Sequence, residues 1–340
     1  MPNKTTIIAE AGVNHNGDVT LAKKLIDVAA AAGADYVKFQ TFKAEKLVSK
    51  EAKKAAYQQR NMEEESDSQF AMLKALELKT EDHFTLKEYA AGKQIKFLST
   101  GFDLDSLDFL HALGIDFFKV PSGELTNFSY LKKIASFRKP VVLSTGMAYL
   151  AEVKEAIQLL TDSGISINHI SVLHCNTEYP TPPEDVNLSA MVNMGKDFKV
   201  KYGYSDHTLG IEIPIAAVSL GGTIIEKHFT LDRNLPGPDH KASLEPEELK
   251  AMVTAIRNIE RALGDGVKKP SASEEKNRDI ARKSIFVSAD IKKGEAITEE
   301  NLIALRPGDG ISPMQIPNIV GKVATEDLMS GTKLDKKHFR

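Results

Sequence analysis

Eight short apolar runs, each followed by a turn and then a helical pattern, recur along most of this chain, and few folds accommodate that alternation. The runs fall at residues 7–9, 36–39, 95–98, 117–120, 141–143, 170–173, 200–204 and 223–226. Between residues 19 and 32, Leu21, Leu25, Val28, Ala29 and Ala32 share one stripe, with Asp18 placed to cap the start and Gly33 to end it. Strands alternating with helices make an α/β protein with a parallel sheet. Eight units predict a closed TIM (β/α)8 barrel, with an open doubly wound sheet as the alternative. Three segments resemble one another: Gly-Ala-Asp-Tyr-Val-Lys at 33–38, Gly-Ile-Asp-Phe-Phe-Lys at 114–119 and Gly-Thr-Ile-Ile-Glu-Lys at 222–227. Each sets a lysine five residues after a glycine that reads as a helix stop.

At 340 residues the chain exceeds the size at which one core stops growing, roughly 250–300 residues, so a second, smaller domain is expected. The rhythm ends with Gly-Asp-Gly at 264–266 and a charged stretch, after which the pieces become short strands and turns. The predicted organisation is a barrel at 1–263, a linker at 264–282 and a small β-rich module at 283–340. The stretch 41–69 also breaks the rhythm. It is polar and far longer than a βα loop of roughly 2–6 residues, which makes it an active-site loop or a solvated excursion.

Charge decides the class of partner. Lysine and arginine total 44 against 47 acidic residues, a net charge of -3, so no global field attracts nucleic acid or an acidic membrane. No apolar run approaches the roughly 18 residues of a membrane span. The single cysteine, Cys175, has no intrachain partner, and the polar start carries no secretory pattern; a cytoplasmic protein with a small-molecule partner is the expectation.

In a parallel barrel the loops after the strands open on one face, so the residues ending the runs converge on a single mouth. They are polar or ionisable almost throughout: Glu10; Lys38 and Gln40; Ser99 and Thr100; Lys119, Ser122 and Glu124; Ser144 and Thr145; His174, Asn176 and Tyr179; Ser205, Asp206 and His207; Lys227 and His228. Lysines beside three hydroxyl-rich turns describe an anion site, with phosphate as the natural guest. An ordinary helix cap is the alternative for each turn taken singly. No Walker or Gly-x-Gly-x-x-Gly motif is present. His207 and His228 close the seventh and eighth runs, suited to a divalent metal or else to structural hydrogen bonding. Alternation along a strand sends Lys227 and His228 to opposite sides, and His228 is expected to face inward. Glu10, Glu124 and Asp239 supply carboxylates for proton transfer or hydroxyl binding, although Asp239 in Pro-Gly-Pro-Asp also suits a turn.

These residues sit in a specific series of motifs. They are Ile-Ile-Ala-Glu-Ala-Gly-Val-Asn-His-Asn-Gly at 7–17, Val-Lys-Phe-Gln at 37–40, Pro-Ser-Gly-Glu at 121–124, Leu-Ser-Thr-Gly-Met at 143–147, Tyr-Pro-Thr-Pro at 179–182, Ser-Asp-His-Thr at 205–208, Glu-Lys-His-Phe-Thr at 226–230 and Pro-Gly-Pro-Asp at 236–239. In this order they resemble the sialic acid (nonulosonate) synthase family, and the tail resembles that family's antifreeze-like (SAF) domain. The resemblance implies a metal-dependent condensation of phosphoenolpyruvate with an N-acetylated mannose-type sugar, giving a nine-carbon 2-keto acid and phosphate. It implies that Lys38, Thr100, Lys119, Ser144 and Ser205, with Gln40 and Ser122 close by, bind phosphoenolpyruvate, and that His207 and His228 hold Mn²⁺ or Mg²⁺. Glu124, Tyr179 and Asp239 match sugar-binding positions, and Glu10 matches a carboxylate at the end of the first strand, a proton acceptor. Arg306 matches the position from which the small domain reaches the sugar's acetamido group across a domain-swapped homodimer.

The long second loop departs from the sialate-forming pattern. It resembles members that make N,N'-diacetyllegionaminate from a 6-deoxy-2,4-diacetamido-mannose, for which Tyr57, Phe70 and Met72 would form an apolar lining. N-acetylneuraminate synthesis from N-acetylmannosamine is the competing expectation. A zinc hydrolase on the same barrel is opposed by Asn14-His15-Asn16, which is no His-x-His pair. A non-enzymatic carbohydrate-binding or ice-binding protein is opposed by the lysine-lined mouth.

Overall fold

The computed structural model describes residues 4–62 and 67–340, so residues 63–66 of the expected long loop lie outside the described residues. The chain separates into two compact units, Met1–Asp265 and Gly266–Arg340. In the first, β1 (Thr6–Gly12), β2 (Tyr36–Thr41), β3 (Lys96–Gly101), β4 (Phe118–Val120), β5 (Val141–Ser144), β6 (Ile170–His174), β7 (Lys201–Asp206) and β8 (Ile224–His228) make one parallel sheet, and every expected run falls on its strand. The order is β3-β2-β1-β8-β7-β6-β5-β4. The outermost strands β3 and β4 lie beside each other, so the sheet curls into a nearly closed barrel.

Helices α1 (Val19–Ala32), α2 (Ala44–Leu47), α3 (Ala56–Met62), α4 (Gln69–Leu76), α5 (Thr80–Gly92), α6 (Leu104–Leu113), α7 (Phe128–Ser136), α8 (Leu150–Asp162), α9 (Leu188–Phe198) and α10 (Glu212–Ser219) lie between the strands, and α11 (Pro246–Ala262) follows β8. In α1 the Asp18 carboxylate accepts from Thr20 N at 2.6 Å and Gly33 closes the helix at φ 81°. The buried stripe is Ala22, Leu25, Ile26, Ala29 and Ala32, rotated slightly from the expected one, with Leu21 and Val28 half-buried at its edge. The excursion after β2 folds into α2, α3 and α4 over a small apolar cluster of Val13, Phe42, Met72 and Leu76.

The three glycine-to-lysine segments differ in phase. At Gly33 and Gly114 the backbone is left-handed, the glycine N–H reaches back three residues and the next N–H reaches back five. The same pair of bonds at the third segment is made by Gly221, at φ 94°, and by Gly222 behind it. Five residues after the helix-ending glycine therefore stand Lys38, Lys119 and Glu226, and Lys227 falls on the opposite side of β8.

The second unit holds α12 (Ala272–Glu275), α13 (Arg278–Ala281) and an antiparallel pair, β9 (Ser284–Val287) with β10 (Leu302–Leu305). Isolated bridges tie further segments around a core of Ile285, Val287, Ile291, Ile297, Ile319, Ala324, Leu328 and Leu334. No helix among the described residues is long and apolar enough to cross a membrane.

Candidate active site

At the C-terminal ends of the strands lies a cavity of about 570 Å³. A second depression of about 550 Å³ opens at the other end, between Lys4, Asp116 and Ser171 among others, and the predicted chemistry is absent from its walls. Alternation along each strand divides the polar strand ends into two sets. Glu10, Lys38, Gln40, Thr100, Lys119, Ser144, Ser205, His207 and His228 line the upper cavity, together with Ser122, Glu124, Tyr179 and Asp239 from the loops. Several others face away. Ser99 bonds Thr41 Oγ1, Thr145 donates to Leu173 O, His174 bonds Val186 O, and Asp206 pairs with Lys227. Of the eighteen polar strand-end residues expected at the mouth, twelve line the cavity, and Ser99, Thr145, His174, Asn176, Asp206 and Lys227 do not.

Four buried charges form the cavity floor. Lys38 Nζ lies 2.8 Å from Glu10 Oε2 and 3.5 Å from Glu226 Oε2, and Lys119 Nζ lies 3.3 Å from Glu226 Oε1. Lys38 also donates to Thr100 Oγ1 at 2.9 Å, and Ser205 Oγ donates to Glu226 Oε1 at 2.9 Å. Burial pulls both ammonium groups down; the two carboxylates beside Lys38 more than reverse this, while Lys119, facing Glu226 alone, stays depressed. Burial raises Glu10 despite Lys38, and at Glu226 the two lysines and Ser205 overcome burial and hold the carboxyl low. The Ser144 hydroxyl is buried and has no partner, which suits a ligand oxygen. Ser122 Oγ accepts from Gly146 N at 3.0 Å beside the buried thiol of Cys175 at 3.2 Å.

Two imidazoles stand above one side of this floor. His207 Nδ1 donates to Asn176 O at 2.5 Å, which leaves Nε2 with a lone pair, 2.9 Å from Tyr179 Oη. Burial holds His207 down at about 4 and His228 well below its usual value, so both rings are neutral. Their ring centroids are 5.5 Å apart, and His228 Nδ1 is buried without a hydrogen bond. A neutral imidazole whose Nε2 accepts only from the rotatable Tyr179 hydroxyl, beside one whose Nδ1 has no hydrogen bond, fits a divalent cation. No group of three His, Cys, Asp or Glu side chains able to hold a metal occurs among the described residues, so two protein ligands would leave the other positions to substrate oxygens and water. Gly12 makes room here: at φ 54° beside a bulge in β1, a Cβ there would come within 3.1 Å of His228.

The upper wall is partly apolar. Tyr179 stacks on His207 at 4.0 Å and on Tyr57 at 4.8 Å between ring centroids. Asp239, pushed up to about 7 by burial, lies 3.9 Å from His228 Nδ1, and Glu124 accepts from Asn127 Nδ2 at 2.6 Å. The excursion contributes Tyr57, Gln58, Gln69, Met72 and Leu73 to the cavity, while Phe70 is not among its lining residues. Asn61 ties α3 to the opposite rim through Pro238 O at 2.8 Å. Arg306, in the second unit, is exposed, and its Nε donates to Ala281 O at 3.0 Å.

Among the four charges of the cavity floor, Glu226 is the one that reading the sequence did not assign. The signal available was the Gly-Gly pair: counted from Gly221, Glu226 takes the place of Lys38 and Lys119.

The NeuB family profile matches residues 25–268, and the SAF domain profile matches residues 282–340. The chain is 55% identical over 324 residues to the N,N'-diacetyllegionaminic acid synthase of Campylobacter jejuni, covering 95% of this chain and 97% of the relative. It is 52% identical to the N,N'-diacetyllegionaminic acid synthase of Legionella pneumophila, covering 98% and 94%. Among solved structures, the N-acetylneuraminic acid (sialic acid) synthetase of Leptospira borgpetersenii, in complex with citrate, superposes with a TM-score of 0.71 at 36% identity, covering 81% of this chain and 90% of that one.

Proposed function

Because this chain belongs to the NeuB family, we propose that it condenses phosphoenolpyruvate with 2,4-diacetamido-2,4,6-trideoxymannose, releasing phosphate and forming N,N'-diacetyllegionaminate. One observation carries the reading: two buried lysines and an unpartnered serine hydroxyl share a cavity with two neutral imidazoles. C3 of phosphoenolpyruvate forms the new bond to the sugar's aldehyde carbon, water adds at C2, and the C2–O bond to phosphate breaks.

Lys38 and Lys119 take the substrate's anionic groups, with Thr100, Ser144, Ser205, Ser122 and Gln40 supplying polar contacts around them. Glu10, raised by burial and next to Lys38, holds or moves a proton at its carboxylate oxygens. His207, through Nε2, and His228 would hold Mn²⁺ or Mg²⁺. Such an ion supplies Lewis-acid polarisation of the aldehyde oxygen. Glu124, Tyr179 and Asp239 orient the sugar, and the Tyr57, Met72 and Leu73 surface receives its C6 methyl and second acetamido group. That apolar surface favours the trideoxy acceptor over N-acetylmannosamine, whose C4 and C6 hydroxyls would lie against it.

We further infer a domain-swapped homodimer in the cytoplasm, with a barrel at 1–263, a linker at 264–282, and Arg306 of the small domain serving a partner's mouth. Exposed Phe128, Met147, Tyr149, Leu150 and Leu209 all follow C-terminal strand ends, an apolar rim that a second chain would cover. The deciding assay measures phosphate release from phosphoenolpyruvate with Mn²⁺ and either sugar. At least tenfold higher kcat/KM for the diacetamido sugar is expected. A preference for N-acetylmannosamine would overturn the acceptor, and no phosphate with either sugar would overturn the synthase.

A further inference from the structure

Directly behind the two imidazoles, on the other side of the barrel wall, lies an ion pair with no exposure at all. Lys227 Nζ is 2.5 Å from Asp206 Oδ2, and both side chains are 0% exposed. The two residues are register partners across β7 and β8. Each immediately precedes one of the imidazoles, His207 and His228, and the pleat sends each pair of neighbours to opposite faces. The ammonium also donates to Thr208 O at 2.6 Å. The Asp206 carboxylate accepts from Thr208 N at 3.0 Å and from Thr208 Oγ1 at 3.1 Å. The turn carrying His207 is thus fixed at the residue before it and the residue after it, and the residue before His228 provides the anchor.

Burying two charges is costly, and an apolar pair of similar volume is often as stable or more so. Tyr204, Ile225 and Phe229 on the same outward faces belong to the apolar core, so the environment would accept such a pair. Stability alone does not account for the charges, whereas the geometry gives them a task at the neighbouring residues. We propose that Asp206 and Lys227 are positioning residues that hold His207 and His228 at the separation a divalent cation needs, acting through the backbone without touching the ion. This rests on the reading of the two histidines as a metal site.

The test is Mn²⁺ titration of the full chain by electron paramagnetic resonance, which counts free ion, with thermal unfolding measured in parallel. Lys227→Met and Asp206→Asn are expected to weaken Mn²⁺ binding at least tenfold. The double variant Asp206→Leu with Lys227→Met removes both charges and leaves no unpaired one, so it folds even where the single variants do not. It should unfold at a higher temperature than either single variant, because no charge is left unpaired even though Thr208 loses its three bonds, while its Mn²⁺ binding stays at least tenfold weak. If the double variant binds Mn²⁺ as tightly as wild type, the pair only balances charge and the positioning role is overturned. If the wild-type chain and His207→Ala take up Mn²⁺ equally, the metal-site reading itself falls and this inference with it.

Discussion

Replacing Glu226 by glutamine should move the proton of Lys119, and with it the alkaline limit of phosphoenolpyruvate use. Burial already depresses Lys119, and the largest opposing influence is the Glu226 carboxylate, 3.3 Å away. Two unit charges at that distance interact by about 5 kcal/mol at an effective dielectric constant of 20 and by about 1.3 kcal/mol at that of water. The pair is buried, so losing the carboxylate removes the largest influence that opposes desolvation and lowers Lys119 further. Only the charged ammonium holds an anion firmly, so phosphoenolpyruvate use persists below the pKa of Lys119 and fails as pH rises through it. The variant's kcat/KM for phosphoenolpyruvate should begin to fall at least about one pH unit earlier on the alkaline side. Glutamine still accepts from Ser205, so the wall is preserved. Glu10→Gln is the control, because Glu10 faces Lys38, and it should shift this limb far less. An alkaline limb that stays in place or moves upward in Glu226→Gln would refute the reasoning.

His207→Ala and His228→Ala, and equally EDTA treatment of the wild type, should abolish phosphate release while circular dichroism stays unchanged; full activity in metal-free buffer would remove the two-histidine assignment. Lys38→Ala should raise the KM for phosphoenolpyruvate by the loss of roughly 1.5–3 kcal/mol of charge-assisted contact, with the sugar's KM moving less. Burial lowers His15 to about 4, so its contribution to stability is complete above its unfolded value of 6.5 and is lost as pH falls from there toward 4. Urea unfolding in EDTA should therefore show His15→Gln losing less stability than wild type between pH 7 and 4.5, by roughly 2–3 kcal/mol. Mixed dimers of His207→Ala and Arg306→Ala chains should regain part of the activity; none in confirmed mixed dimers would mean that each small domain serves its own barrel.

Much of the architecture was legible because it depends on local pattern. A strand buried on both faces needs a short apolar run, and a turn at its C-terminal end needs polar residues, so eight strands and a polar mouth followed from order along the chain. The phase of each strand was less legible. Whether Ser99 or Thr100, Asp206 or His207 faces the cavity depends on where the preceding helix stops, and a Gly-Gly pair leaves that stop open by one residue. Taking Gly222 as the stop put Lys227 in the site's repeat; the left-handed residue is Gly221, and Glu226 faces inward. The excursion was read as one long polar loop because α2, α3 and α4 are short and bury little. Their role depends on contacts distant in sequence, such as Asn61 with Pro238 and Tyr57 with Tyr179, which no local pattern announces.

That one-residue phase has a consequence for charge. With a lysine inward in all three copies, three buried ammonium groups would face Glu10 alone, an arrangement whose repulsion and desolvation would lower all three lysines. Glutamate in the third copy makes a quartet of two lysines and two carboxylates instead, compensated when the cavity is empty. The carboxyl held low, Glu226, contacts both lysines and opposes the effect of burial on each, while the raised one, Glu10, contacts only Lys38 of the two and is the easier to protonate. In the proposed reading an arriving phosphate would meet Lys38 and Lys119, and Glu10, raised by burial, would be the group whose charge can be given up. The lysine displaced to position 227 lies outside the wall, where its ammonium joins β8 to the turn after β7. The same shift of phase therefore supplies the floor of the cavity with a carboxylate and the back of the two-histidine wall with a cation.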